Sequence, residues 1–165
     1  ERLFVHEADD GVLELGLALD GRTLAQLEAT AVDDALGEDA LGDTLPVLEG
    51  LSHLVYIAEA ARRERPVSAL ELETQAEVDK LAICLLHRWD DARAQFERLV
   101  QRLYYQFELV AETALHDRYL TANRVALQFS RHLRPAVERG RLDELRRLLQ
   151  RFWHGSMTDK TALAA

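Results

Sequence analysis

Two carboxylate–histidine couples at four-residue spacing, Glu49 with His53 and Glu112 with His116, are of the right residue types to grip a metal ion. Glu108 with Glu112 and Glu73 with Glu77 repeat the spacing with carboxylates alone. Side chains four apart share a helix face, and four-helix carboxylate proteins build metal sites from inward-facing Glu and Glu-x-x-His groups. Direction argues against such a site here. With Leu103 marking the core, Glu112 falls ~180° away and His116 ~140° away; with Leu51 as reference, Glu49 and His53 each fall ~160° away. Both couples read as solvated pairs, and no metal and no other cofactor is expected.

Cys84 and His87 lie three apart, with Lys80 on the same flank, and a thiol–imidazole pair is a nucleophile with its base. Nucleophilic enzymes, however, set the base across the fold and add an oxyanion donor pair, and no elbow or glycine-rich turn accompanies Cys84. It reads as a small buried hydrophobe. Asp79, with Glu77 nearby, is the stronger buried polar candidate. Measured from Leu85, Asp79 falls at ~120°, between Leu86 and Leu72 in an apolar sector, where a carboxylate must be paired or have its pKa raised. An Arg or Tyr from a neighbouring helix is the expected partner, and a functional acid in a pocket the alternative. Asn123 shares a stripe with Tyr119, Ala126 and Ser130, and a buried amide there is expected to knit helices together. No Gly-x-Gly-x-x-Gly, Walker loop, Cys-x-x-Cys or His-Glu-x-x-His occurs.

Charge is divided along the chain. Residues 1–117 hold 10 basic and 25 acidic side chains, whereas residues 118–165 hold 10 and 4, within a total of −9. The basic segment is nearly all arginine, which pairs bidentately with carboxylates and phosphates. Arg147 and Arg151, one turn apart, share a face beside Trp153 and form the candidate partner-binding surface. Three roles compete: packing against the acidic part of the same chain, an acidic protein partner or second copy, and nucleic acid. The last is disfavoured because the acidic remainder repels a phosphate backbone.

The elements that must position these residues are mainly helical. Only the first twenty residues alternate. Leu13, Leu15, Leu17 and Leu19 take turns with Glu14, Gly16, Ala18 and Asp20, and Leu3 and Val5 do so weakly. Ala8-Asp9-Asp10-Gly11 between them supplies a turn, predicting a hairpin. A helix over Thr23–Ala35 follows, then a loop over Leu36–Thr44. Pro46 opens a third segment with Val47, Leu48, Leu51, Leu54, Val55 and Ala58 on its core stripe, ending at Arg65. Ser68 with Glu71 is a capping box for a helix to Trp89, apolar on most of its circumference and therefore central. Asp90 caps a helix whose stripe of Phe96, Leu99, Val100, Leu103, Phe107, Val110 and Ala114 runs to His116. Thr121–Glu138 is next, kinked or cut short by Pro135. Gly140 precedes a last helix bearing Leu142, Leu145, Leu148, Leu149 and Phe152.

These observations predict a helical bundle of about five or six helices with a short N-terminal β-hairpin. Residues 1–155 form a single domain with the hairpin in 1–20, and residues 156–165 a loose tail. No run approaches the ~20 apolar residues of a membrane span, and no secretory signal is visible. One cysteine fits a reducing, cytoplasmic setting. The chain opens on Glu1, not Met, which leaves a missing native beginning open. The function expected is a non-catalytic, soluble interaction module that self-associates as a homodimer and binds a protein partner. The alternative is a metal- or small-ligand-binding helical enzyme with inward carboxylates.

Overall fold

The computed structural model describes residues 2–8, 12–37, 40–106 and 113–165. It is mainly α, 76% helical, with eight helices and one two-stranded antiparallel hairpin among the described residues. The chain divides into two compact units, Glu1–Val67 and Ser68–Ala165.

In the first unit, β1 (Arg2–Glu7) pairs with β2 (Leu13–Ala18), setting Leu3 opposite Leu17, Val5 opposite Leu15 and Glu7 opposite Leu13. The expected turn at Asp9–Gly11 lies outside the described residues. Period-two alternation puts Leu13, Leu15 and Leu17 on a half-buried face and leaves Glu14, Gly16 and Ala18 exposed. The ribbon packs on α3 (Leu41–Arg62). The helix expected over Thr23–Ala35 is two pieces, α1 (Gly21–Ala29) and α2 (Val32–Ala35). Thr30 separates them: its backbone is extended, and its hydroxyl donates to the Gln26 carbonyl at 2.6 Å.

Helix α3 starts five residues before Pro46, which sits inside it. The core stripe differs from expectation too. Leu41, Thr44, Val47, Leu48, Ser52, Tyr56 and Ala60 are buried, whereas Leu51 is 44% and Val55 53% exposed. A helix apolar on nearly every side gives no periodic signal for its inner face. Here Tyr56 marks the inner face, its hydroxyl accepting from Arg65 at 2.9 Å while that guanidinium lies 5.4 Å from the ring centroid. The helix ends at Arg62 through Glu64 at φ 51, with Arg65 N–H donating to the Ala60 carbonyl at 2.9 Å.

The second unit contains α4 (Ala69–His87), a 3₁₀ turn at Trp89–Asp91, α5 (Ala92–Tyr104), α6 (Thr113–Glu138), α7 (Leu142–His154) and α8 (Met157–Ala164). Ser68 caps α4 as predicted, accepting from Glu71 N–H at 3.1 Å. Asp90 is not a cap; it lies within the 3₁₀ turn. Helix α6 packs against α4, α5, α7 and α8, and α4 also packs against α5. Leu81, Leu85, Phe96, Leu103, Phe129, Leu133, Leu145 and Phe152 fill the core. The stripe predicted from Phe96 to His116 does not belong to one helix: α5 stops at Tyr104 and His116 is on α6. Phe107, Val110 and the side chain of Ala114 lie outside the described residues.

Pro135 does not cut α6 short; the helix continues to Glu138. It closes at Gly140, φ 64, where Gly140 N–H donates to Val137 and Arg141 N–H to Ala136, a Schellman cap. Residues 157–164 are not a loose tail but the helix α8. Ser156 and Asp159 form a reciprocal capping box, and Lys160 is fully buried.

The two left-handed caps make opposite demands. A Cβ at Gly140 would meet nothing within 4 Å, so Gly140→Ala tests backbone strain alone. It should destabilise by about 1 kcal/mol, and Glu64→Gly should stabilise by a similar amount, both read by urea unfolding.

Candidate functional site

The buried face of α4 is polar to an unusual degree: Glu71, Glu73, Thr74, Gln75 and Lys80 are all buried. Each charge there needs a partner, because desolvation without compensation is costly. Lys80 Nζ donates to Glu77 Oε1 at 2.6 Å, both side chains nearly covered. Tyr104 on α5 donates its hydroxyl to the Glu77 carbonyl at 3.1 Å. Burial pushes this phenol well above its ordinary pKa, and the Glu77 charge adds to the shift. Glu73 meets Arg118 of α6 at 3.1 Å.

Lys160 of α8 is 0% exposed. Its ammonium donates to Gln75 Oε1 at 2.8 Å and to the Phe152 carbonyl at the end of α7, and lies 4.6 Å from the Phe152 ring centroid. With its oxygen taken, the Gln75 amide turns its nitrogen to Asp79 Oδ1 at 2.7 Å. A carboxylate, an amide, an ammonium and a helix C-terminus thus form one chain of charge-assisted bonds across α4, α7 and α8.

Asp79 is therefore held, but by Gln75 of its own helix rather than by an Arg or Tyr from a neighbour. Nor is its sector a second buried face. Asp79, Leu72 and Ile83 are half-buried and Leu86 is 39% exposed, so this side of α4 is its outer edge. Glu77 is half-buried on the opposite flank, with Lys80. Asn123 is buried on α6, yet its amide makes no hydrogen bond to another helix among the described residues. Cys84 is buried and His87 exposed, which separates the thiol from its supposed base. Burial raises the Cys84 pKa to about 11, against an opposing pull from Arg88, so the thiol is protonated at neutral pH.

The Glu49–His53 couple is not fully solvated. Both residues are half-buried and His53 Nε2 is shielded, because Leu51, the reference that pointed them outward, is itself exposed. Glu108 and Glu112 lie outside the described residues. Sequence reasoning missed Gln75, Arg118 and Lys160, and no short-range pattern marks them.

The C-terminal arginines divide into two groups. Arg118 and Arg134 reach carboxylates on other helices, Glu73 and Glu97, and Arg141 and Arg146 pair locally with Glu144 and Asp143. Arg124, Arg131, Arg139 and Arg151 have no carboxylate partner among the described residues. Arg147 Nε donates to the Asp143 carbonyl at 3.1 Å. Helix α7 buries Leu145 and Phe152, half-buries Trp153 and turns Arg146, Arg147, Gln150, Arg151 and His154 outward. Where α7 meets α8, Arg151, His154, Gly155, Asp159, Ala162 and Leu163 line a groove of about 340 Å³. Asp159, whose pKa is lowered by two hydrogen bonds from Ser156, brings one carboxylate to this groove.

Comparison with protein families, curated proteins and solved structures finds no match to this chain. Among the described residues no helix is long and apolar enough to cross a membrane. Chemically, the interior stabilises helix positions, and the outer face of α7 presents Arg147 and Arg151 with no carboxylate partner among the described residues.

Removing the buried ammonium leaves Gln75 and the α7 carbonyl without a donor. Lys160→Met should destabilise by about 3–5 kcal/mol in urea unfolding, and Lys160→Arg should not rescue it, since a guanidinium exceeds the enclosed slot. The raised pKa of Cys84 also sets a pH dependence. Folded, the thiol stays neutral to about pH 11; unfolded, it ionises near its ordinary ~8.5. Ionisation therefore favours the unfolded chain, so stability is constant below that range and falls as pH rises through it. Tyr104 extends the fall above pH ~10. Unfolding curves across this range should lose their first decline in Cys84→Ala.

Proposed function

We propose that this protein is a non-catalytic, soluble helical interaction module of the cytoplasm, which self-associates and uses the outer face of α7 to bind an acidic protein segment. The observation that carries this reading is the pair Arg147 and Arg151, solvent-facing and with no carboxylate in ion-pair contact among the described residues. Guanidinium groups left open on a rigid helix are preorganised for carboxylates. The groove beside Arg151 adds the apolar walls of Ala162 and Leu163, suited to an acidic peptide with small apolar side chains. Trp153, half-buried on the same helix, borders the contact. Self-association is supported by the first unit, which carries Phe4, Val5, Val12, Leu24, Val32, Leu51 and Val55 exposed. Exposed apolar area carried this heavily by one unit supports a contact made there. The alternative, an enzyme with inward carboxylates, requires Glu77 to leave Lys80 and Asp79 to leave Gln75 before either can take a ligand.

Fluorescence anisotropy with a labelled glutamate-rich peptide tests the acidic contact. The peptide should bind, with affinity falling as salt rises. Arg147→Glu with Arg151→Glu should weaken it roughly tenfold or more, while thermal stability is retained. Tighter binding of an oligonucleotide of equal charge would favour nucleic acid instead. An unchanged affinity in the double variant would exclude α7 as the contact.

A further inference from the structure

The hairpin of the first unit has two unlike edges. Its sheet has two strands among the described residues, so each strand presents one row of backbone N–H and C=O groups to no third strand. Strand β1 carries Arg2, His6 and Glu7 along six residues, whereas β2, Leu-Glu-Leu-Gly-Leu-Ala, carries Glu14 alone. Charges, prolines and bulges are what keep a sheet edge from pairing with another chain, and β2 has only that one charge. An isolated two-stranded ribbon is also marginal in water.

We infer that two copies of this chain pair through β2, antiparallel and edge to edge, about a two-fold axis at Leu15, making a four-stranded sheet in the order β1–β2–β2–β1. The inference rests on the self-association proposed above and names its surface and register. A two-fold axis normal to an antiparallel sheet keeps each face on its own side, so both α3 helices cover the same face. With the axis at Leu15, Leu13 faces Leu17 of the second copy, Leu15 faces its own equivalent, and Leu17 faces Leu13 of the second copy. Three leucine pairs then close the face that is only half-buried in one chain. On the other face Glu14 lies opposite Gly16 of the second copy, where no like charge meets it. Moving the axis to Glu14 opposes two carboxylates, and moving it to Gly16 keeps only two leucine pairs within the strands.

Gly16 is the residue that tests this register. A Cβ there would touch only Phe4 Cβ at 3.9 Å, so the hairpin accommodates a side chain, which circular dichroism checks. Sedimentation equilibrium of the whole chain should give a dimer. Gly16→Glu sets it against Glu14 of the second copy twice over and should weaken the dimer roughly tenfold, while Gly16→Lys should hold or tighten it. Glu14→Lys combined with Gly16→Glu should restore the dimer. If both single variants weaken it alike, or neither shifts it, the Leu15 register is overturned while self-association stands. A wild-type chain that stays monomeric at tens of micromolar overturns the self-association reading and this inference together.

Discussion

A single enclosed ammonium orders the C-terminal unit. Lys160 has no exposed surface, and a cation stripped of water persists only where protein groups replace its hydration. Those groups come from separate places in the chain: the Gln75 amide of α4, and the carbonyl and ring of Phe152 at the end of α7. The Phe152 ring stacks in turn on Phe129 of α6, centroids 4.2 Å apart. Placing one nitrogen therefore sets the positions of three helices relative to α8. The turn between α7 and α8 is equally constrained, since a Cβ at Gly155 would come within 3.0 Å of Asp159 Cβ. The C-terminal carbonyl of α7 is the negative end of a helix dipole, which favours a cation at that point.

The same economy of partners governs the rest of the α4 interior. Glu77 is matched by Lys80, Glu73 by Arg118, and Asp79 by the nitrogen that Gln75 has left over. Buried ion pairs add little net stability over apolar packing of equal volume, but a mispaired one is strongly unfavourable. A helix arrangement that separated them would leave a covered charge without its partner. The thiol of Cys84 is enclosed and protonated at neutral pH, while the imidazole of His87 is exposed.

Legibility from sequence followed the range of the interaction. The Leu13–Leu19 alternation, the Ser68 cap and the Gly140 stop are decided within a few residues, and each was readable. The inner face of α3 was not, because Leu51 and Val55 are as apolar as Val47 and Leu48, and only the pairing of Tyr56 with Arg65 separates the faces. Asp79 was identified as a group needing a partner, but its partner is an amide whose orientation is set 85 residues away. The helix at 157–164 lacked an apolar stripe because its anchor is a lysine, which average burial places at the surface. Its Ser156–Asp159 cap was the local trace of it.

Arginine and lysine are used differently in this chain, and the contrast separates interior from surface. Only two lysines occur, Lys80 and Lys160, and both are buried, while the solvent-facing cations of α7 are arginines. A compact ammonium suits an enclosed slot with a few acceptors; a planar fork suits an open face meeting carboxylates. The first unit has the complementary character. Among the described residues seven of the nine exposed large apolar side chains fall in it, although its 15 acidic and 5 basic side chains make it strongly negative. Two such units repel at a distance, so they can associate only through a short-range apolar seam that keeps their charges apart. Strand β2, with its single carboxylate, would suit such a seam. Salt then acts on the two proposed contacts with opposite sign, screening the repulsion between first units while weakening the attraction of an acidic segment to α7.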